Sequence, residues 1–256
     1  MLKDKVVVIS GGAGLIGTEL TKKILGSGAS VVIGDFNKAE GTKLQSELSK
    51  KFGPAKVKYI EIDITSKDSI DNLINETHNV FNKIDGWINC AYPRNKNYGR
   101  DFLEVEFDDF NSNTNMHLGG YFLTCQRIIK YYIQQGYGNI INFSSIYGVV
   151  PPKFEIYEGT NLKNSVEYSV IKSGIIHFSK YAAKYLKNKN VRINVVSPGG
   201  ILDRQPETFL KNYKSFCLNK GMLDREDISG TIIFLLSDES RFINGQNLII
   251  DDGFTL

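Results

Sequence analysis

Cysteine, proline and tryptophan are scarce in this chain: three, six and one among 256 residues. Cys90, Cys125 and Cys217 form an odd set without metal-ligand spacing, which argues against a disulfide scaffold and a cysteine-held metal centre. Cys90 and Cys125 stand in apolar segments, where a thiol behaves as a small hydrophobe, and a reducing cytoplasm is the expected compartment. No proline-rich linker, low-complexity tract or internal repeat interrupts the chain. Long apolar runs are missing too: none approaches the roughly 18 residues of a membrane span, and "MLKDKVVVIS" enters a strand too soon for a signal peptide. Charge of one sign is nowhere concentrated. With 31 basic and 28 acidic residues the net charge is +3, which argues against nucleic-acid or membrane partners and reads as a solvated mixed surface.

What is present is material for a core. Hydrophobic residues make up 41% of the chain, enough for one domain across residues 1–256. Seven short β-branched runs, "KVVVIS", "SVVIGD", "KVKYIEID", "DGWINCA", "NIINFSS", "VRINVVS" and "NLIIDDG", alternate with helix-length segments. Their apolar residues are continuous rather than alternating, the habit of strands covered on both faces. The expected architecture is a doubly wound α/β fold of the Rossmann type, a seven-stranded parallel sheet with helices on both faces. Such sheets bind ligands at the carboxyl ends of their strands. Two loop-like stretches, residues 92–107 and 149–167, follow strands at that edge.

The first strand runs into "GGAGLIGTELTKKIL", with glycines at 11, 12, 14 and 17 ahead of an amphipathic helix. A backbone that must turn tightly, approach a pyrophosphate and aim free amides at it needs glycine there. The second strand ends in Asp35, 24 residues after Gly11, where a carboxylate accepts from ribose hydroxyls. No arginine follows closely and a carboxylate repels a 2′-phosphate, so NAD is expected over NADP. Asp63 in "EIDIT" is a candidate for the adenine ring or a plain turn residue.

A tyrosine four residues before a lysine occurs three times: Tyr92/Lys96, Tyr168/Lys172 and Tyr185/Lys189. Chance alone gives about one such pair in a chain with 13 Tyr and 24 Lys, so context must decide. Pro93 disfavours helix at Tyr92, and Tyr185 ends a helix whose lysines complement its dipole. Tyr168 and Lys172 fall between strands that end in Ser144 and Ser145 and in "SPGG", at the edge where the glycine loop would hold a nicotinamide.

These motifs, with "NCAY" at 89–92, "SSIYG" at 144–148, "YSVIK" at 168–172 and the ending "RFINGQNLIIDDG", resemble the short-chain dehydrogenases/reductases over nearly the whole chain. The resemblance implies that Ser145 holds the substrate oxygen, Tyr168 is the general acid/base, and Lys172 lowers the tyrosine pKa and binds the nicotinamide ribose. Moving a phenol two to three units from about 10 takes roughly 3–4 kcal/mol, within reach of nearby positive charges in a partly dry site. The implied NAD site comprises Gly11, Gly14, Leu15, Ile16, Asp35, Phe36, Asp63, Ile64, Asn89, Ala91, Tyr168, Lys172, Pro198, Gly199 and Ile201. His117 falls where the family usually has a catalytic asparagine, with Asn115 two residues away, and is a candidate for the same relay or a plain helix residue. Asp203 stands where a nicotinamide-contacting threonine is common. No metal is implied, and a homo-oligomer, dimer or tetramer, is.

Two departures bear on function. Leu15 replaces the usual middle glycine, a spacing that looks like sugar-nucleotide epimerases and dehydratases and keeps an NAD-retaining epimerase as an alternative. Ser145 and Tyr168 are 23 residues apart, about ten more than is typical of the family, because of "PPKFEIYEGTN". That insertion and the basic residues Arg94, Lys96, Arg100, Lys153, Arg204 and Lys211 near the same edge point to an anionic substrate. The segments "FEIYEGT" and "NKGMLDREDISGT" resemble bacterial oxidoreductases of flagellin and surface-glycan modification, associated with legionaminic-acid-type sugars. They imply an amino-sugar or sugar-phosphate substrate. A non-catalytic NAD-binding sensor would have lost the serine, tyrosine or lysine, and all three are present.

Overall fold

A computed structural model describes residues 1–256. Seven strands lie where the β-branched runs stand: β1 (Val6–Ser10), β2 (Ser30–Asp35), β3 (Val57–Glu61), β4 (Gly86–Asn89), β5 (Gly138–Phe143), β6 (Val191–Pro198) and β7 (Asn247–Ile250). They form one parallel sheet in the order β3-β2-β1-β4-β5-β6-β7. The order reverses between β1 and β4, which opens a crevice above their carboxyl ends.

Alternation along each strand divides the core into two layers. Val7, Ile9, Val31 and Ile33 face α1 (Leu15–Gly26), α2 (Lys38–Phe52) and α8 (Ser229–Leu236). Val8, Val32 and Trp87 face α3 (Lys67–Phe81), α5 (Gly120–Gln135) and α6 (Val166–Tyr185). Burying each such side chain stabilises the fold by about 1.5–3 kcal/mol. The uninterrupted apolar runs follow from this two-sided cover.

Local signals set the helix starts. Asn37 accepts from the Glu40 amide to begin α2, and the Ser66 hydroxyl accepts from Ser69 to begin α3. Helix α4 (Phe107–Thr114) passes into α5 through a π-helical turn, Asn115–Gly119, an extra-residue bulge of a kind concentrated at functional sites. A third apolar cluster holds the carboxyl edge. There Ile156 of the 149–167 segment packs with Phe209 and Tyr213 of α7 (Glu207–Lys214), Met222 and Phe254. Asn212 of α7 donates to the carbonyls of Ile156 and Glu158, fixing the insertion rather than leaving it a free loop.

Candidate active site

A cavity of about 1190 Å³ occupies the crevice. Its floor begins at the glycine loop. Gly11 has φ +77°, and a Cβ there would lie 2.7 Å from the Ala91 backbone; one on Gly17 would lie 2.0 Å from the Gly11 carbonyl. The loop therefore accepts no side chain at either position. Gly14 stands at the N-cap of helix α1 and offers no side-chain cap, so the first amides of the helix face the cavity unpaired. Asp35 is held by the loop it serves, accepting from the Ala13 and Asn37 amides at 2.9 Å each. Its two oxygens retain lone pairs for further donors. This cradle fits a dinucleotide: a close-approach backbone, free helix amides and an oriented carboxylate.

Leu15, Ile16, Phe36, Ile64, Ala91, Pro198, Gly199 and Ile201 line the same cavity, as do Gly11, Gly14, Asp35 and Asp63. Asp63 is also a turn residue, accepting from the Thr65 amide and hydroxyl at 2.8 and 2.7 Å. Asn89 departs from the expected set. Its side chain points into the layer beneath α5, where its Oδ1 accepts from Trp87 (2.8 Å), Ser10 (3.1 Å) and Thr124 (3.0 Å) and its Nδ2 donates to Asn142 (2.8 Å). With those atoms occupied and the residue fully buried, it supports the floor and does not line it.

The catalytic candidates meet at the other end. Ser165 caps α6 by accepting from the Tyr168 amide at 3.2 Å, which sets the tyrosine one turn above Lys172. Burial pushes the Tyr168 phenol up, and hydrogen bonding with Ser145 draws it back. Ser145 accepts from the Tyr147 amide and lines the cavity beside it. Lys172 is buried, donating to the Phe143 carbonyl at 3.1 Å, with its Nζ 3.3 Å from His117 Nε2. Burial lowers its pKa to about 7.

Its Nζ sits 5.5 Å from the Tyr168 ring centre, so the two side chains of the expected pair stand together on the cavity wall.

His117 lies in the π-helical turn, 1% exposed, between the rings of Tyr92 and Tyr121 at 5.1 Å each. Burial first, and Lys172 second, hold it far below the usual histidine range, so it is neutral. With Nε2 facing the lysine, Nδ1 is buried without a partner. It touches Lys172 and does not line the cavity. Asn115, the other relay candidate, lies in the same π-helical turn and is likewise off the cavity wall.

The basic residues separate into two groups. Arg94 and Arg204 line the cavity, joined by Lys163. Arg100 pairs with Asp109 at 3.3 Å, and Lys153 lies over Phe216 and Phe254 at 4.4 and 5.1 Å; neither reaches the wall, nor do Lys96 and Lys211. Asp203 is on the wall and accepts from Arg225 at 3.2 Å. Tyr157, a sequence candidate for contacting a polar substrate, is on the wall; sequence reasoning missed Tyr92, Tyr98 and Tyr147 beside it, and the fully buried Glu167, which accepts from Asn113 (3.2 Å) and Ser165 (2.7 Å). The available signal was the density of tyrosine in the two long segments.

A family model described as Enoyl-(Acyl carrier protein) reductase matches residues 12–255. The Post-translational flagellin modification protein A of Campylobacter coli is 44% identical over 257 residues, covering 100% of both chains. The 7alpha-hydroxysteroid dehydrogenase of Bacteroides fragilis is 29% identical, over 99% of this chain and 95% of that one. Among solved structures, a short chain dehydrogenase from Leptospira borgpetersenii with bound NAD+ superposes with TM-score 0.86 at 34% identity, over 100% of this chain and 94% of its own.

Proposed function

Because the chain belongs to the short-chain dehydrogenase/reductase family, we propose that it is an NAD(H)-dependent oxidoreductase that interconverts a secondary alcohol and a ketone on an amino-sugar or sugar-phosphate precursor of a surface glycan. The observation that carries the reaction is the convergence of Ser145, Tyr168 and Lys172 on one cavity with the glycine cradle and Asp35. Bound NAD would supply the hydride acceptor, held by the α1 amides, Asp35 and Lys172. Ser145 orients the substrate oxygen; the Tyr168 phenolate takes its proton as the alcohol is oxidised, and the phenol returns it as the ketone is reduced. The neutral imidazole of His117 and the Phe143 carbonyl hold Lys172 in place, two uncharged acceptors that leave its charge free to respond to the cavity.

Asp35, with no arginine beside it, supports NAD over NADP. Arg94, Lys163 and Arg204, none of which has a carboxylate within salt-bridge distance, support an anionic group on the substrate. The flagellin-modification relative supports a glycan precursor. No helix is long and apolar enough to cross a membrane, and the scarcity of cysteine supports a cytoplasmic site. A homo-oligomer is supported by the exposed side chains of Val170, Tyr181 and Tyr185, spaced along one face of α6, with Phe122 of α5 packed against Phe178 beside them.

NADH formation over a panel of sugar phosphates tests the reading. The expected outcome is a kcat/KM at least tenfold higher with NAD than with NADP, and loss of turnover in Tyr168→Phe with NAD binding retained. Preference for NADP, or activity in Tyr168→Phe within tenfold of the parent, would overturn it.

A further inference from the structure

Tyr168 stands between two hydrogen-bonded pairs of phenols. On one side the Tyr92 ring meets it edge to face, centres 5.7 Å apart, and the Tyr92 hydroxyl lies 2.6 Å from that of Tyr98. On the other side the Tyr147 ring meets it edge to face at 6.5 Å, and the Tyr157 hydroxyl donates to that of Tyr147 at 3.2 Å. Asn164 donates in turn to Tyr157 at 3.3 Å. All four rings line the cavity. The 92–107 segment supplies the first pair; the end of β5 and the insertion supply the second.

We propose that these two phenol pairs form a clamp for a polyhydroxylated ring, with Tyr98 and Tyr157 as specificity-determining residues that fix the inner phenols of Tyr92 and Tyr147. This rests on the sugar reading above and adds the residues that select for it. Tyr92 donates to Tyr98 and Tyr157 to Tyr147, which leaves the Tyr98 and Tyr147 protons to donate and unused lone pairs on Tyr92 to accept. Burial pushes all four phenols up, so they are neutral donors at physiological pH. A sugar ring answers such a wall twice: its C–H faces pack on aromatic surface, and its hydroxyls pair with phenol oxygens. A steroid or acyl chain desolvates the same hydroxyls and gives nothing back, and sites built to hydrogen-bond a hydroxyl reject analogues that lack it by large factors. The outer tyrosines hold the orientation. Without the Tyr98 or Tyr157 hydroxyl, the inner phenol loses its fixed partner while its ring and Tyr168 remain.

The test uses the NAD-loaded protein and four probes: N-acetylglucosamine 6-phosphate, N-acetylglucosamine, cholate and 3-hydroxybutyryl-coenzyme A. Binding is read from the 13C-labelled tyrosine ring resonances and turnover from NADH absorbance. The expected result is that a sugar probe shifts the Tyr92 and Tyr147 resonances, and that Tyr98→Phe and Tyr157→Phe each raise Kd and KM at least tenfold. In both variants kcat should change less than threefold and NAD affinity should be unaltered. If a sugar is bound and oxidised but both variants stay within twofold of the parent Kd, the clamp is wrong and the oxidoreductase reading stands. If cholate or the thioester is turned over and neither sugar is, the sugar reading falls and the clamp with it. Absence of ring shifts with both sugars also overturns the clamp.

Discussion

A lysine and a histidine facing each other inside an apolar layer define the chemistry of this site at the scale of single residues. Neither has a carboxylate partner: Lys172 has Phe143 and His117, and His117 has Lys172 alone. At these two residues the folded chain therefore binds protons less readily than the unfolded one. For Lys172 the folded value is about 7 against 10.5 for the free side chain. Between those values the unfolded chain holds a proton that the folded chain lacks, so stability rises with pH across that window and the gain is absent below it. Urea denaturation of the cofactor-free protein at pH 7.5 and 9.5 should show the parent gaining stability at the higher pH relative to a variant without the lysine, since raised thiols and phenols act in the opposite sense in both proteins. Lys172→Met should flatten that gain, and an equal slope in both proteins would contradict the assignment. Tyr168 and Lys172 were legible in the sequence because strand ends flank them. The contacts that hold Lys172, the Phe143 carbonyl and His117, were not, since spacing cannot report partners that meet only on folding. Arg100 was likewise misjudged: Asp109, which pairs with it, lies nine residues away across a turn that no local pattern marks.

The helices and loops act on the site through a small number of buried contacts. Glu167 precedes the catalytic tyrosine and joins two elements: Asn113 of α4 donates to it, and Asn113 accepts in turn from the Asn95 amide of the 92–107 segment. Ser165, which caps α6 beneath Tyr168, donates to the same carboxylate at 2.7 Å. Glu167→Ala leaves two buried donors without an acceptor and should cost about 1–3 kcal/mol of stability. Because it also loosens the 92–107 segment from the helix that carries Tyr168, KM should rise more than kcat falls. Denaturation and steady-state kinetics on the same preparation check both parts, and an unchanged KM would detach Glu167 from the site. All seven strands were legible as continuous β-branched runs. The anchoring of the two long segments was not, because it depends on side chains that meet only after the helices pack.

At the scale of the molecule, the exposed apolar face of α5 and α6 should be covered by a second copy. Light scattering after size exclusion should show a dimer or tetramer, and Tyr181→Glu should shift it towards monomer with the circular dichroism spectrum preserved. A monomeric parent would reject that assembly. Inside the sheet, Ser10, Asn89 and Asn142 stand directly opposite one another on β1, β4 and β5. Runs of valine and isoleucine this uniform do not count positions: sliding one strand past its neighbour by two residues keeps every apolar side chain on its proper face. The polar row does count them. A slip of two would strand these hydroxyl and amide groups against hydrocarbon, at about 1–3 kcal/mol for each lost partner. The row through Asn89 thus works as a vernier mark, setting to the residue how far the glycine loop of β1 stands from the serine at the end of β5.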